Sequence, residues 1–223
     1  MIKLCAISKE YVGMASKTKV LNDISLDINP GEFVSLVGPS GSGKSTLMNI
    51  IGLLDVASQG DYYFNGENVT EFTGDKVASI RGGKIGFIFQ NFSLLKQYPV
   101  WYNVALPLHY QGISLASLRH KAQEYLAKVG MGDYMEYYPP MLSGGQKQRV
   151  ACARALIVKP EIILADEPTG SLDSKMGQDI LRLLLELNNS ENVTILLVTH
   201  DNSIAEIATR RLVIHDGVLR EIL

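Results

Sequence analysis

Apolar and polar residues alternate near the start of the chain, a pattern typical of strands with one buried face. Ile2, Leu4 and Ala6 carry the first alternating run, and residues 24–28 carry the second. A third short run, at residues 61–64, ends in an Asn-Gly turn signal. These patterns predict an N-terminal antiparallel β subdomain at the edge of the molecule.

Later apolar runs are continuous, as in strands buried on both faces. They occupy residues 33–37, 85–89, 162–165 and 193–199. Helical spacing of apolar residues recurs at 47–51, 115–129 and 180–187. Strands that alternate with helices predict an α/β fold whose core sheet is mainly parallel, and Asp216-Gly217 predicts a closing hairpin.

Residues 91–141 show no strand pattern and predict an inserted α-helical subdomain. We predict one domain over residues 1–223, in which 1–90 and 160–223 form the core with the antiparallel subdomain and 91–159 form the helical subdomain. Within the insertion, residues 97–118 contain no Asp, Glu, Lys or Arg. Their prolines and polar side chains suit a membrane-spanning helix poorly. The stretch is therefore either the core of the insertion or a docking surface.

Residues 38–46 read Gly-Pro-Ser-Gly-Ser-Gly-Lys-Ser-Thr, which is the P-loop spacing. Glycines allow backbone N–H groups to surround phosphate oxygens, and a helix starting near Lys44 would add its positive end. Lys44 is expected on the β- and γ-phosphates, Ser45 on Mg²⁺ and Thr46 on the α-phosphate. The predicted ATP contacts are Gly38, Ser40, Gly41, Ser42, Gly43, Lys44, Ser45 and Thr46. A glycine-rich turn with a chance lysine is the alternative, but the flanking strand and helix favour a nucleotide site.

Polar side chains stand at the ends of three later core strands: Gln90, Asp166 with Glu167, and His200. Strand ends of an α/β sheet meet in the ligand crevice, so we expect these side chains to serve γ-phosphate hydrolysis. Asp166 would hold Mg²⁺ through water, and Glu167 would polarise the attacking water. Gln90 would touch both Mg²⁺ and that water, while His200 would contact the γ-phosphate and fix Glu167. Taken alone, each of these residues could also be explained by a structural role in place of a catalytic one.

The bulk composition excludes some functions. The chain of 223 residues is 46% hydrophobic and 20% charged, with a net charge of −2, which disfavours nucleic-acid binding. Its two cysteines, Cys5 and Cys152, fit no metal spacing or disulfide framework, which is typical of a reduced cytosolic compartment. The first residues begin a strand pattern directly, so we expect no cleaved signal.

Residues 142–146, Leu-Ser-Gly-Gly-Gln, resemble the signature motif of ABC-type ATPases. The resemblance extends over essentially the whole chain, with Walker A at 38–46, the Q-loop glutamine at Gln90 and Walker B at 162–167. Residues 171–173 look like the D-loop, and His200 looks like the switch histidine. Tyr11 stands where the family stacks an aromatic ring on adenine.

The resemblance implies a homodimer that forms head to tail on binding ATP and Mg²⁺, and that hydrolyses ATP. Ser143, Gly144, Gly145, Gln146 and Asp173 of one protomer would contact the ATP of the other. It also implies a separate integral permease, docked near Leu94, Tyr98 and Trp101. The chain would then be peripheral on the cytoplasmic face of a bacterial or archaeal plasma membrane.

Residues 49–55, 85–90 and 103–108 further resemble the macrolide-efflux and lipoprotein-release group. Residues 57–59, Tyr102 and Cys152 depart from that group, and none of them belongs to the phosphate chemistry. DNA-repair members carry a long coiled coil between Walker A and signature, and ribosome-associated members carry two cassettes; neither fits this chain. A force-transmitting regulator of cell-wall hydrolysis or division is the alternative that stays open.

Overall fold

The computed structural model describes residues 1–13 and 17–222 and has the α/β class that the sequence predicts. The strands are β1 (Ile2–Val12), β2 (Lys17–Ile28), β3 (Phe33–Val37), β4 (Gln59–Phe64), β5 (Glu67–Asn68), β6 (Ile85–Phe89), β7 (Ile162–Asp166), β8 (Thr194–Thr199), β9 (Arg210–His215) and β10 (Val218–Ile222). The helices are α1 (Lys44–Ile51), α2 (Asp75–Lys84), α3 (Val100–Tyr110), α4 (Leu115–Lys128), α5 (Gly144–Leu156), α6 (Ser174–Glu191) and α7 (Asn202–Ala205). Two 3₁₀ turns, Gly132–Tyr134 and Pro139–Met141, precede α5.

Internal contacts divide the chain into two compact units. The first unit contains Met1–Arg81 and Thr194–Leu223, and the second contains Gly82–Val193. These bounds differ from the predicted subdomains, because β6 and β7 group with the helices of the second unit. The division at 90 and 160 stays a prediction.

An antiparallel sheet in the first unit has the strand order β2-β1-β4-β5. Ile24, Leu26 and Ile28 are buried, as their alternation predicts. The expected alternation of β1 is wrong at Ala6, which is exposed and has a φ of 53°. The register against β2 shifts between Leu4 and Ile7, so a bulge turns Ala6 outward and Ile7 becomes the buried residue.

A second sheet segment in the first unit has the order β10-β9-β3-β8. β3 pairs in parallel with β8 on one side and with β9 on the other. Every residue of β3 and β8 is buried, as expected for parallel strands covered on both faces. The predicted hairpin is confirmed, because Asp216 and Gly217 have φ values of 48° and 74° between β9 and β10.

The second unit contains the parallel pair β6 and β7 together with α3, α4, α5 and α6. The register runs from the pair Ile85 and Ile162 to the pair Phe89 and Asp166. α5 packs directly on β6 at Gly86, where a Cβ would lie 2.7 Å from the Ala155 carbonyl oxygen. Between β6 and β7 the chain is helical, which confirms the predicted insertion.

The uncharged stretch divides between buried and exposed side chains on α3. Val100, Val104 and Leu108 are buried, whereas Tyr98 before the helix and Tyr110 at its end are exposed. Part of the stretch therefore belongs to the core of the insertion, and its role as a docking surface stays a prediction. None of the described helices is long and apolar enough to cross a membrane.

Candidate nucleotide-binding site

The loop between β3 and α1 has a path that only glycine permits at two positions. Gly43 has a φ of 107°, and a Cβ there would lie 2.8 Å from Leu21 Cδ2. A Cβ on Gly38 would collide with the carbonyl oxygen of Ile214. The first helical bond of α1 runs from Leu47 N–H to the Gly43 carbonyl at 2.9 Å. The loop therefore delivers the helix N-terminus directly behind the glycines, as the P-loop spacing predicts.

Lys44 lies across this loop. Its Nζ donates to the carbonyl oxygens of Gly38 and Pro39, both at 2.8 Å, so one ammonium N–H is left for an anion. Ser40, Gly41 and Ser45 are exposed, and a Cβ on Gly41 would meet nothing within 4 Å. The loop thus offers an open, donor-rich surface that fits a polyphosphate.

Ser42 is placed differently from its neighbours. Its side chain is buried, and its hydroxyl has no hydrogen-bond partner among the described residues. The hydroxyl lies 2.8 Å from where a Gly38 Cβ would be, so Ser42 packs beneath the loop. Its side chain therefore supports the loop.

Two other predicted site residues belong to the same unit. Val37 and Thr199 are register partners, so Gly38 and His200 follow neighbouring parallel strands at the same edge. The Tyr11 ring is 45% exposed, and its hydroxyl donates to Asp55 Oδ2 at 2.7 Å. The first unit thus brings Tyr11, the P-loop and the His200 strand end together.

The second unit brings the remaining strand-end residues together. Phe89 and Asp166 are register partners, so Gln90 and Glu167 follow them at one edge of the pair. Ser171 Oγ donates to the Gln90 carbonyl at 2.8 Å, and a Cβ on Gly170 would lie 2.7 Å from Gln90 Nε2. Glu167 has a φ of 43°, a costly backbone conformation that clusters at functional sites.

A capping box opens α5 at the signature. Ser143 Oγ accepts from Gln146 N–H at 3.3 Å, and Gln146 Oε1 accepts from Ser143 N–H at 2.9 Å. A Cβ on Gly144 would lie 3.0 Å from Leu172 Cδ2, and one on Gly145 would lie 2.9 Å from Met176 Sδ. The signature glycines therefore pack closely against the side chains of Leu172 and Met176.

Asp173 has a structural role in the chain itself. It is the N-cap of α6, where its carboxylate accepts from Met176 N–H at 2.9 Å. The capping bond fixes the segment that packs on the signature glycines.

Two side chains that sequence reasoning missed, the half-buried Arg154 and the buried Asn103, hold the segment after Gln90. Arg154 on α5 donates through Nη2 to the Phe92 carbonyl at 2.9 Å and through Nη1 to the Ser93 carbonyl. Burial lowers the pKa of this guanidinium. Asn103 on α3 accepts from Leu95 N–H at 2.6 Å and donates to three carbonyls of residues 95–99. For Asn103, the only signal in the sequence was a polar residue within an apolar helix.

Of the expected docking residues, Leu94 lines a surface cleft. Tyr98 is 40% exposed, and Leu94 and Trp101 are half-buried. Tyr98 stacks on Tyr102 at 4.7 Å between ring centroids, and Trp101 meets Tyr102 edge to face at 5.5 Å. The cleft has a volume of about 330 Å³ and is lined by Asn91, Phe92, Leu94, Lys96, Pro139, Pro140 and Lys147.

Residues 21–170 match the family model described as ABC transporter. A macrolide export ATP-binding/permease protein, MacB, of Syntrophobacter fumaroxidans is 48% identical over 98% of the chain. The ABC transporter ATP-binding protein YknY of Bacillus subtilis is 46% identical over 97% of the chain and 94% of its own length. A dimeric structure of the ATP-binding cassette MJ0796 in a post-hydrolysis state with ADP and Pi superposes with a TM-score of 0.90, at 40% identity and with 100% of this chain and 99% of that chain covered.

The relatives differ in length. The chain spans about a third of the MacB protein, 31% of its length, but nearly all of YknY.

Proposed function

Because the chain belongs to the ABC transporter family, whose cassettes bind and hydrolyse ATP, we propose that it powers a membrane permease of the macrolide-efflux or lipoprotein-release type. The observation that carries this proposal is the open P-loop with Lys44 folded across it, within a chain similar to a solved cassette over its whole length. The similarity to MacB supports the choice of subgroup.

The proposed ATP contacts in the first unit are Tyr11 and the loop residues Gly38, Ser40, Gly41, Ser42, Gly43, Lys44, Ser45 and Thr46. Backbone N–H groups and the remaining Lys44 N–H would hold the phosphates, with Ser42 contributing through its backbone. Tyr11 would support the base through its exposed ring.

For Mg²⁺, we propose the Ser45 hydroxyl, the Gln90 amide and the Asp166 carboxylate, which are hard oxygen donors of the kind this ion prefers. In the described part of the chain, no group of three or more His, Cys, Asp or Glu side chains could hold a metal ion. Phosphate oxygens of the nucleotide would complete the site. When bound, Mg²⁺ neutralises charge on the β- and γ-phosphates.

Glu167 would act as the group that polarises the attacking water, with Gln90 and His200 orienting water and γ-phosphate. The strained backbone at Glu167 supports this role, because a left-handed non-glycine residue persists only where its surroundings hold it. A carboxylate that acts only on the attacking water contributes little to the affinity for ATP in the ground state.

We also propose a head-to-tail homodimer in which Ser143, Gly144, Gly145, Gln146 and Asp173 reach the partner's ATP. The dimeric state of the MJ0796 cassette supports it. The Ser143 hydroxyl only accepts within the capping box, so its O–H and the glycine N–H groups at the start of α5 are the donors proposed for a phosphate.

The test is to compare Glu167→Gln with Lys44→Ala in the intact chain. We expect Glu167→Gln to keep ATP binding, lose turnover by about two orders of magnitude or more, and elute as a dimer in ATP. Lys44→Ala is expected to lose ATP binding and stay monomeric. Glu186→Gln, the same change on an exposed position of α6, is the matched control. Parental turnover in Glu167→Gln would refute the assignment of Glu167.

The proposed permease would dock at the cleft beside Leu94, Tyr98 and Trp101. Aromatic side chains that are only partly buried are enriched at interface centres. Lys96 and Lys147 line the cleft, so its occupant would carry carboxylates as well as apolar groups. The chain would then be peripheral on the cytoplasmic face of the membrane.

A further inference from the structure

A single carboxylate holds the aromatic ring that the proposed function places against the adenine base. Asp55 Oδ2 accepts from the Tyr11 hydroxyl at 2.7 Å. Its other oxygen, Oδ1, accepts from Lys9 Nζ at 2.6 Å and from Val56 N–H at 2.7 Å. Lys9 Nζ also donates to the Val56 carbonyl at 2.6 Å. Both carboxylate oxygens are therefore committed, and the Tyr11 hydroxyl is one of three groups they hold.

Partial burial makes the Lys9–Asp55 bond stronger than an ordinary surface contact. The side chains of Lys9 and Asp55 are 11% and 27% exposed. Burial acts to raise the pKa of Asp55, but hydrogen bonds from Lys9 and Tyr11 outweigh it and hold the pKa below its usual value. The hydrogen bond to Asp55 raises the pKa of Tyr11, followed by burial. At neutral pH, Asp55 is therefore an anion and Tyr11 a donor to it.

Lys9 also limits how a base can approach Tyr11. Its ammonium lies over the Tyr11 ring, 4.9 Å from the centroid. The ring is nevertheless 45% exposed, which leaves part of its surface available for stacking. A ring held at its hydroxyl and covered on one face offers a flat base one defined orientation.

The same carboxylate belongs to the segment that ends the P-loop helix. Leu53 has a φ of 55° and reverses the chain after α1. The N–H groups of Leu54 and Asp55 then donate to the Asn49 carbonyl at 2.8 and 3.2 Å. Thr46, one turn earlier on α1, is close enough to the Tyr11 hydroxyl to act to lower its pKa. The base platform and the phosphate loop are thus both fixed to α1.

A nucleotide has a fixed distance between its base and its phosphates, so affinity depends on presenting the two contact surfaces at that distance. We propose that Asp55 is a positioning residue for nucleotide binding, which orients Tyr11 relative to the P-loop through the Tyr11–Asp55 hydrogen bond and the Lys9–Asp55 ion pair. This inference rests on the proposed function, because it takes Tyr11 to be the base platform.

The test is a double-mutant cycle on the intact chain, with Mg·ADP and inorganic tripolyphosphate as calorimetric probes. Asp55→Asn and Tyr11→Phe each keep the side-chain shape and remove or weaken the hydrogen bond. We expect each to weaken ADP binding about five- to tenfold, part of what losing a stacking platform costs. The double variant is expected to bind as the weaker single variant does, since both changes remove one interaction. Tripolyphosphate, which has no base, should bind every variant within about twofold of the parent.

Asp27→Asn, the same change at an exposed position of β2, is the control and should bind ADP as the parent does. If Asp55→Asn does not fold, Tyr11→Phe tests the same hydrogen bond from its other end.

Three results would overturn the proposal, and they are distinguishable. Equal losses of ADP and tripolyphosphate affinity in Asp55→Asn would mean that Asp55 acts on the fold of α1. Parental ADP affinity in Asp55→Asn, with weak binding in Tyr11→Ala, would refute the positioning role of Asp55 and leave Tyr11 as the base platform. Parental ADP affinity in Tyr11→Ala would show that Tyr11 is not the base platform, and the proposed ATP contacts would fail there first.

Discussion

At the scale of single residues, the two cysteines have opposite environments. Both are free thiols; Cys152 is fully buried on α5, and Cys5 is half-buried. Burial raises the pKa of the Cys152 thiol to about 12. Since the thiolate is the nucleophile, Cys152 is expected to be inert at pH 8 in the folded protein. This burial explains how position 152 can differ from the subgroup, because a buried cysteine behaves as a small apolar residue.

We therefore predict that an alkylating reagent at pH 8 modifies Cys5 in the native protein and both cysteines in denaturant. Mass spectrometry of the digested protein measures the modification of each. Cys5→Ser is the control and should leave the native protein unmodified. Modification of Cys152 at the rate of Cys5 in native protein would contradict the buried placement.

Residue-scale prediction from sequence succeeds where the backbone demands a particular residue type. Asn65-Gly66 and Asp216-Gly217 predict turns, and all four residues have positive φ. Phe92, Ser93 and Glu167 also have positive φ, and no pattern announces them because side chains of these types rarely adopt it. Their conformations depend on contacts made far along the chain.

At the scale of elements, the segment between β6 and α3 is held by side chains from elsewhere in the second unit. Ser171 bonds to Gln90, Arg154 to Phe92 and Ser93, and Asn103 to residues 95–99. Asn103 is 1% exposed and makes four hydrogen bonds to this segment. Without it, the N–H of Leu95 would be left without its partner.

We predict that Asn103→Ala lowers the free energy of unfolding by about 2–3 kcal/mol, because it orphans buried backbone groups. Urea denaturation measures the loss, and hydrogen exchange at Leu95 should accelerate. Asn29→Ala is the matched control, since Asn29 is exposed and its bond to Glu32 is a surface contact. It should cost under about 0.5 kcal/mol. A comparable loss in both variants would show that the hydrogen bonds of Asn103 contribute no more to the free energy of unfolding than a surface contact does.

Elements were predictable from sequence where burial is periodic. Helices α1, α4 and α6 and the buried strands follow from their apolar patterns. Helix α2, Asp75–Lys84, was not predicted, and it has no buried residue to give it a period. The alternation of β1 fails at the bulge at Ala6, because an extra residue shifts the period by one.

At the scale of the whole molecule, substitutions in the docking surface test whether the proposed permease binds there. Tyr98 is 40% exposed, so we predict that Tyr98→Ala leaves the free energy of unfolding nearly unchanged and sharply lowers recovery of the integral partner. Trp101→Ala should lower both, because Trp101 is half-buried beside Tyr102 and Arg119. Purification of the tagged chain from native membranes, followed by mass spectrometry, measures the partner.

Leu108→Ala is the control for stability. Leu108 is buried on the same helix, so its loss should cost about 2–5 kcal/mol while the folded fraction binds the permease normally. Normal partner recovery with Tyr98→Ala would refute the docking surface.

The family and fold class were accessible from sequence because motifs with fixed spacing run along the chain. The partition into units was not, since β6 and β7 lie outside the predicted helical subdomain but group with its helices. That grouping depends on contacts such as Gly86 against Ala155, which a linear pattern does not reveal.

The position of β3 between β8 and β9 has a consequence for biosynthesis. The P-loop strand is made early, but both of its hydrogen-bonded neighbours come from the segment that begins at Thr194. At roughly 5–20 residues per second, a ribosome needs on the order of ten seconds to reach that segment after β3. Until then the strand has neither of its native partners, and the nascent chain must carry an apolar segment with two unpaired sides. The P-loop strand can therefore take its place in the sheet only after the segment from Thr194 has been made, and until then its two open edges are available to chaperones.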